Sequence, residues 1–263
     1  MIITKIQGGL GNQMFQWAFG RNLSIKYNKE LLIDKSFYNH QGEVVRNISL
    51  NKFSLNCIEI NQSNINKFKS KSVKVLSDPN YFMDYILSES ENYFLDGYWQ
   101  SEKFFSENED VILKDFEYNS IKIESISSEI DFKNNSVVSI HVRRGDYVDA
   151  NDMYPLQPIS YYKNAVDKIG QYDKLLIFSD DISWCEDNFN FDNMIFSRGF
   201  DNVEDMTLMS KCHHNIIANS SFSWWGAYLN KNVNKKVIAP SLWYGPKMNI
   251  ETKDLIPDSW IKI

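Results

Sequence analysis

The chain has little of what marks several common protein classes. It carries three cysteines in 263 residues, Cys57, Cys185 and Cys212. They lie far apart and are odd in number, so no disulfide framework or zinc-type ligand spacing can be written from them. A reduced, intracellular protein is the expectation. Excess positive charge is also missing: 28 Lys and Arg against 34 Asp and Glu leave a net charge of −6. A general nucleic-acid binder would be basic, so nucleic acid is not an expected partner. No long apolar run occurs, and Met1-Ile2-Ile3-Thr4-Lys5-Ile6 is too short for a signal peptide or an anchor. The expected location is therefore the cytoplasm, with at most peripheral membrane contact. Internal repeats and low-complexity blocks are absent as well.

What is present suits a folded enzyme-sized chain. Hydrophobic residues make up 43%, enough for a core in one large domain or two of roughly 100–150 residues. Aromatics reach 14%, with seven Trp and fourteen Tyr. Such faces suit sugar rings and bases, although most are expected to be core. Residues 2–6 read as a strand, Gln7-Gly8-Gly9-Leu10-Gly11-Asn12 as a Gly-rich turn, and 13–27 as a helix. Met14, Trp17, Ala18 and Arg21 fall in the i, i+3, i+4, i+7 series of that helix. A short strand, Leu31-Leu32-Ile33-Asp34, follows. Residues 36–130 alternate less clearly, with Tyr98-Trp99-Gln100 on a loop after Tyr93-Phe94-Leu95. A polar stretch near 123–136 reads as a linker. Beyond it strands and helices alternate: strands near 137–142, 175–178, 193–196, 215–218 and 237–239, and helices near 159–169, 203–211 and 224–229. Alternation of this kind implies a parallel sheet wrapped by helices.

Ile140-His141-Val142-Arg143-Arg144-Gly145-Asp146-Tyr147 is the most informative stretch. Two guanidiniums end an apolar strand, where open α/β sheets bind ligands. Each offers a fork of N–H donors that matches phosphate oxygens and stays charged at any working pH. A plain surface pair with Asp146 is the alternative. Asn219, Ser220, Ser221 and Ser223 crowd hydroxyl and amide groups at a strand-to-helix junction, more than one N-cap needs, which suggests a phosphate or ribose cradle. The Gly-rich turn is not G-x-G-x-x-G, and only Asp34 stands near where a ribose-binding acid would be wanted. Ser179-Asp180-Asp181 ends another strand. D-x-D, the spacing of metal-dependent sugar-nucleotide enzymes, is absent throughout, and capping by Asp181 or Ser179 is the plainer role for this triplet. Cys212-His213-His214 does not make a metal site, because adjacent histidines cannot easily aim at one ion. Trp224-Trp225 reads as core.

Four blocks occur together in order: Gly8-Gly9-Leu10-Gly11-Asn12-Gln13-Met14-Phe15-Gln16; His141 to Tyr147; Phe178-Ser179-Asp180-Asp181; and Asn219-Ser220-Ser221-Phe222-Ser223-Trp224-Trp225-Gly226-Ala227. This set resembles the inverting α-1,2-fucosyltransferases that use GDP-L-fucose. The resemblance implies an α/β, GT-B-like architecture of two Rossmann-like domains facing across a cleft. Residues 1–130 would form the acceptor-side domain and residues 131–263 the GDP-fucose-binding domain. It further implies that Arg143 and Arg144 hold the diphosphate, with His141 beside the same nucleotide. Asp205 would accept from the guanine edge, and Ser220, Ser221 and Phe222 would line the pocket. Gly9, Gly11 and Asn12 would approach the diphosphate or the fucose. Asp146 and Asp149 are candidate bases by position. No cofactor or metal is expected, since two guanidiniums can neutralise the departing diphosphate. The expected acceptor is a galactose-containing oligosaccharide, lipid-linked where the activity serves O-antigen or capsule assembly at the inner membrane face. Another GDP-sugar transferase and a non-catalytic carbohydrate-binding protein are the alternatives.

Overall fold

The computed structural model describes residues 1–39, 47–55, 58–60, 73–248 and 250–263. Cys57 lies outside them. The chain forms two compact units, one of residues 1–117 and 251–257, the other of 118–250 and 258–263. The expected division at 130/131 differs from this. Residues 121–130 are not a linker but a helix whose Ile123 and Ile130 are buried against Val137, Leu176 and Phe178 of the second unit.

In the first unit, strands β1 (Ile2–Lys5), β2 (Leu31–Asp34), β3 (Ile58–Ile60), β4 (Val73–Ser77) and β5 (Asn92–Asp96) form an all-parallel sheet in the order β3-β2-β1-β5-β4. Helix α1 (Leu10–Lys26) begins three residues before the expected start at 13, with Gly9 as its N-cap. The Gly-rich turn is correspondingly shorter. Met14, Trp17 and Ala18 of the expected series are fully buried, and Arg21 reaches Asp115 at 3.2 Å. Because α1 is covered nearly all round, its polar residues need internal partners. Gln16 supplies one such link: its Oε1 accepts from Gln7 N at 2.9 Å and its Nε2 donates to Gly97 O at 3.2 Å. It thus ties the turn after β1 to the loop after β5. Helix α2 (Glu109–Asp115) completes this unit. The 251–257 segment joins through Asp254, which accepts from Lys103 Nζ at 2.6 Å and Phe82 N at 3.1 Å.

The second unit holds α3 (Ile121–Ile130), β6 (Val137–Val142), α4 (Ile159–Ile169), β7 (Lys174–Ser179), α5 (Ile182–Asn188), β8 (Met194–Phe196), α6 (Asn202–Lys211), β9 (His214–Ile216), α7 (Ser221–Tyr228), β10 (Val237–Ala239) and β11 (Ile261–Lys262). Its sheet is all parallel, in the order β11-β10-β9-β6-β7-β8. Chain direction reverses across the sheet between β6 and β9, so the crevice at their carboxyl ends is the switch point where such sheets bind ligands. Alternation along β6 sends Val138, Ile140 and Val142 into a core with Tyr161, Tyr162 and Ala165 of α4 and Cys185 of α5. Val137, Ser139 and His141 take the other face, where α3, α6 and α7 pack. A buried amide network stitches that face together. Asn215 Nδ2 donates to Ser139 Oγ at 2.7 Å and Met209 O at 2.8 Å, and Asn230 Nδ2 donates to Asn215 Oδ1 at 2.8 Å. Trp224 and Trp225 are fully buried. His213 Nδ1 accepts from Val137 N at 3.2 Å and His214 Nδ1 from Lys236 N at 3.0 Å, so both imidazoles serve the amino-terminal ends of β6 and β10. Among the described residues no helix is long and apolar enough to cross a membrane.

Candidate active site

The arginines leave β6 at the switch point and are each about four-fifths buried, with side-chain exposures of 20% and 19%. Three carboxylates surround them. Arg143 pairs through Nη2 with Asp146 and through Nη1 with Asp180 at 2.7 Å. Arg144 donates from Nε to Asp181 at 3.1 Å and lies over the Trp184 ring at 4.2 Å. Its backbone N donates to Asp180 Oδ1 at 2.9 Å. Asp180 therefore fixes both residues at once. Asp181 also caps α5 by accepting from Trp184 N at 3.1 Å, the role expected of it or of Ser179. Asp146 pairs with Arg143 rather than orienting Arg144. Gly145 has no side chain because there is no room for one: a Cβ there would run into Asp180 Oδ2. Asp149 is exposed in the following turn.

His141 precedes the pair by two residues and is 5% exposed. Its Nδ1 is buried without a hydrogen-bond partner. Burial first, and Arg143 second, push its pKa down to about 3, so the ring is neutral at working pH. The Phe222 ring leans on it at 5.3 Å between centroids. Phe222 sits in the first turn of α7, capped by Ser220, whose Oγ accepts from Phe222 N at 3.4 Å. The expected cradle is narrower than its four polar residues suggested. Asn219 directs its amide to Pro155 O at 3.1 Å and Trp243 O at 3.0 Å, and Ser223 Oγ bonds back to Ser220 O at 3.3 Å. Ser220, Ser221 and Phe222 stand at the helix start, where the macrodipole favours an anion.

Asp205 stands on the β8 side of the crevice, in the first turn of α6. Ser197, which follows β8, donates to its Oδ1 at 2.5 Å. Burial, together with Asp201 and Glu204 nearby, outweighs that bond and pushes its pKa up to about 6. On the β9–β10 side a tyrosine ladder starts at the arginines. The Arg143 guanidinium lies 5.3 Å from the Tyr147 ring. Tyr147 stacks on Tyr154 at 4.9 Å and 21°, and Tyr154 meets Tyr244 at 6.1 Å. Sequence reading singled out Asp180 and Tyr147 but not their contacts here, and it missed Trp184, Tyr154 and Tyr244.

Gly9, Gly11 and Asn12 belong to the first unit, at the carboxyl ends of β1 and β5. Gly9 caps α1, Gly11 is buried in its first turn, and Asn12 Oδ1 accepts from Gln100 Nε2 at 2.8 Å. Gln100 follows Trp99, a fully buried residue in the left-handed region at φ 57°. A bulky residue there is strained. Asp78 holds the conformation, accepting from Tyr98 N at 2.9 Å and Trp99 N at 2.7 Å. Asp34 is turned to its own backbone, accepting from Ser36 N at 2.9 Å.

Known proteins agree with these motifs. The family described as Glycosyl transferase family 11 matches residues 1–263. The chain is 32% identical to an alpha-1,2-colitosyltransferase of Escherichia coli, over 100% of this chain and 99% of that protein. It is 30% identical to the O-antigen biosynthesis glycosyltransferase WbnK of Escherichia coli, over 98% and 99%. Its fold is similar to that of the Bradyrhizobium NodZ alpha-1,6-fucosyltransferase co-crystallized with GDP, with a TM-score of 0.54, 16% identity, and 87% and 91% of the two chains covered. Two parallel-sheet α/β units of the GT-B-like class are thus what the sequence anticipated. The chain belongs to Glycosyl transferase family 11, the α-1,2-fucosyltransferase family that its four motif blocks resemble.

Proposed function

We propose that the protein transfers L-fucose from GDP-β-L-fucose to the 2-hydroxyl of a galactose-containing glycan, with inversion, in the assembly of a surface polysaccharide such as O-antigen or capsule. The observation that carries this is the arginine pair at the switch point of the second sheet. A departing diphosphate needs positive charge where its own charge develops, and two preorganised guanidiniums supply it. Losing one such contact costs about 3–4 kcal/mol, or a few hundredfold in rate. Arg143 and Arg144 hold the phosphates, the α7 start with Ser220 and Ser221 faces the same group, and Phe222 with neutral His141 forms a wall beside it. Asp205 accepts from the guanine N–H edge. The acceptor hydroxyl attacks the oxocarbenium-like anomeric carbon from the opposite face, and Asp146 is the candidate base.

Three carboxylates face two guanidiniums, a local charge that would repel a diphosphate. Asp180 and Asp181 are pinned by backbone N–H groups. Asp146, more exposed than Asp180 at 34% against 27%, is the partner of Arg143 that an incoming phosphate displaces, and it is then the candidate base. Metal is not needed in this scheme, so activity is expected to persist in excess chelator.

A second donor is favoured by the full-length likeness to an alpha-1,2-colitosyltransferase. Colitose is L-fucose without its 3-hydroxyl. Mass spectrometry of reactions with GDP-fucose, GDP-colitose and GDP-mannose against a panel of galactosides separates these readings, and NMR of the product gives linkage and anomeric configuration. Turnover of another GDP-sugar without turnover of GDP-fucose would sink the fucosyl assignment. Glycan binding that survives Arg143→Ala, with no GDP affinity in the wild type, would favour the binding-protein alternative.

A further inference from the structure

The tyrosine ladder has no role in binding the nucleotide as proposed above, and its position suggests one. Asp205 stands at the end of β8, two strands from β6 in one direction. The ladder covers the ends of β9 and β10 in the other direction. Tyr147 Oη donates to Asn219 O at 3.1 Å just after β9, and Tyr244 follows β10. With neighbouring strands roughly 4.8 Å apart, the guanine contact and the outer tyrosines flank the arginines at about 10 Å on opposite sides. A nucleotide read from Asp205 to the arginines therefore points its sugar end at the ladder.

We infer that Tyr154 and Tyr244 form the platform on which the acceptor galactoside ring lies, resting on the GDP-sugar reading above. Tyr147 is the rung beside Arg143, next to the β-phosphate and hence to the transferred sugar. Tyr154 and Tyr244 are the next two rungs outward, one ring width farther at each step. All three are partly exposed. Asp146, the candidate base, lies one residue before Tyr147, the rung on which Tyr154 stacks. The loop that carries Tyr154 is held in place: Gly245 N donates to Met153 O at 2.8 Å, and Lys247 pairs with Asp152 at 2.6 Å. The platform is thus preformed, which lowers the ordering cost of binding a ring.

The test uses saturation-transfer NMR on methyl β-D-galactopyranoside with the full chain saturated by GDP, and calorimetry of GDP binding in parallel. Wild type and Tyr154→Phe are expected to transfer saturation to the galactoside ring protons. Tyr154→Leu and Tyr244→Leu are expected to lose it, with GDP affinity within twofold of wild type, which also reports that they fold. In turnover, the same Leu variants should raise the acceptor KM roughly tenfold, a loss in the range of one aromatic stack, and leave the donor KM alone. Wild type that binds GDP but not the galactoside overturns the platform and leaves the donor reading intact. Leu variants that keep the transfer, or lose GDP affinity in step, overturn it as well. A wild type that binds no GDP fails the donor reading itself.

Discussion

At the scale of single residues, the site is a balance of charges. Arg143 and Arg144 were legible because a pair of guanidiniums ending an apolar strand is costly without an anion. The pairing with Asp146 was legible from its spacing, but those with Asp180 and Asp181 were not, because these come from a neighbouring strand end and only the parallel register brings them across. Asp146→Asn removes the displaceable carboxylate. GDP is expected to bind about fivefold more tightly, on the order of 1 kcal/mol for a partly exposed pair, while kcat falls; calorimetry and steady-state kinetics read the two separately. Asp205 carries a pH prediction. Its pKa near 6 lies above its unfolded value. The ionised form is the destabilised one, so its contribution to stability is full below about pH 4 and is lost as pH rises through 6. Guanine recognition runs the other way, since only the ionised carboxylate can accept from two N–H groups of the base with both oxygens. Donor KM should therefore rise as pH falls below 6, and Asp205→Ala should abolish both that rise and the preference for GDP over IDP. Trp99 shows what composition cannot reveal: its left-handed backbone is set by Asp78, and no local propensity points to it.

At the scale of elements, strands and helices of the second unit were mostly placed within two residues, because its strands are apolar runs and Asp201 offers a clear cap. The junctions were less legible. Ser221 starts α7 three residues before the expected helix at 224, and Asn219 turns its amide inward to Pro155 and Trp243, since the strand-end loop has backbone carbonyls to satisfy. The stretch near 123–136 read as a linker because it is polar, and the helix over 121–130 that overlaps it buries only Ile123 and Ile130, too few to show a period. The turn after β6 supplies a prediction at this scale. Gly145→Ala would push Asp180 away from Arg143 and the Arg144 amide at once. GDP affinity is expected to drop roughly tenfold, a small-displacement effect, with the thermal midpoint nearly unchanged. An unchanged Kd would show that Asp180 does not set the arginine geometry.

At the scale of the whole chain, GDP bound only by the folded second unit should raise its melting temperature. At a ligand concentration one hundred times Kd the gain is about 2.7 kcal/mol, and differential scanning fluorimetry should lose it in Arg143→Ala and Arg144→Ala. The parallel α/β class was legible from alternation, but the strand order within the second sheet was not read from it. The β5-between-β1-and-β4 order of the first sheet was not, because residues 78–91 connect neighbouring parallel strands without a helix between them. Nor was the interleaving of the two units near residue 251. That interleaving bears on biogenesis. Ribosomal synthesis delivers residues 251–257, with the Asp254 anchor of the first unit, just before 258–263, which add β11 to the second. Neither unit can be completed while its own sequence emerges. Both wait for the stretch from residue 251 to 263, so nascent chains stalled before residue 251 should present to chaperones a first unit without its Asp254 anchor and a second sheet without β11.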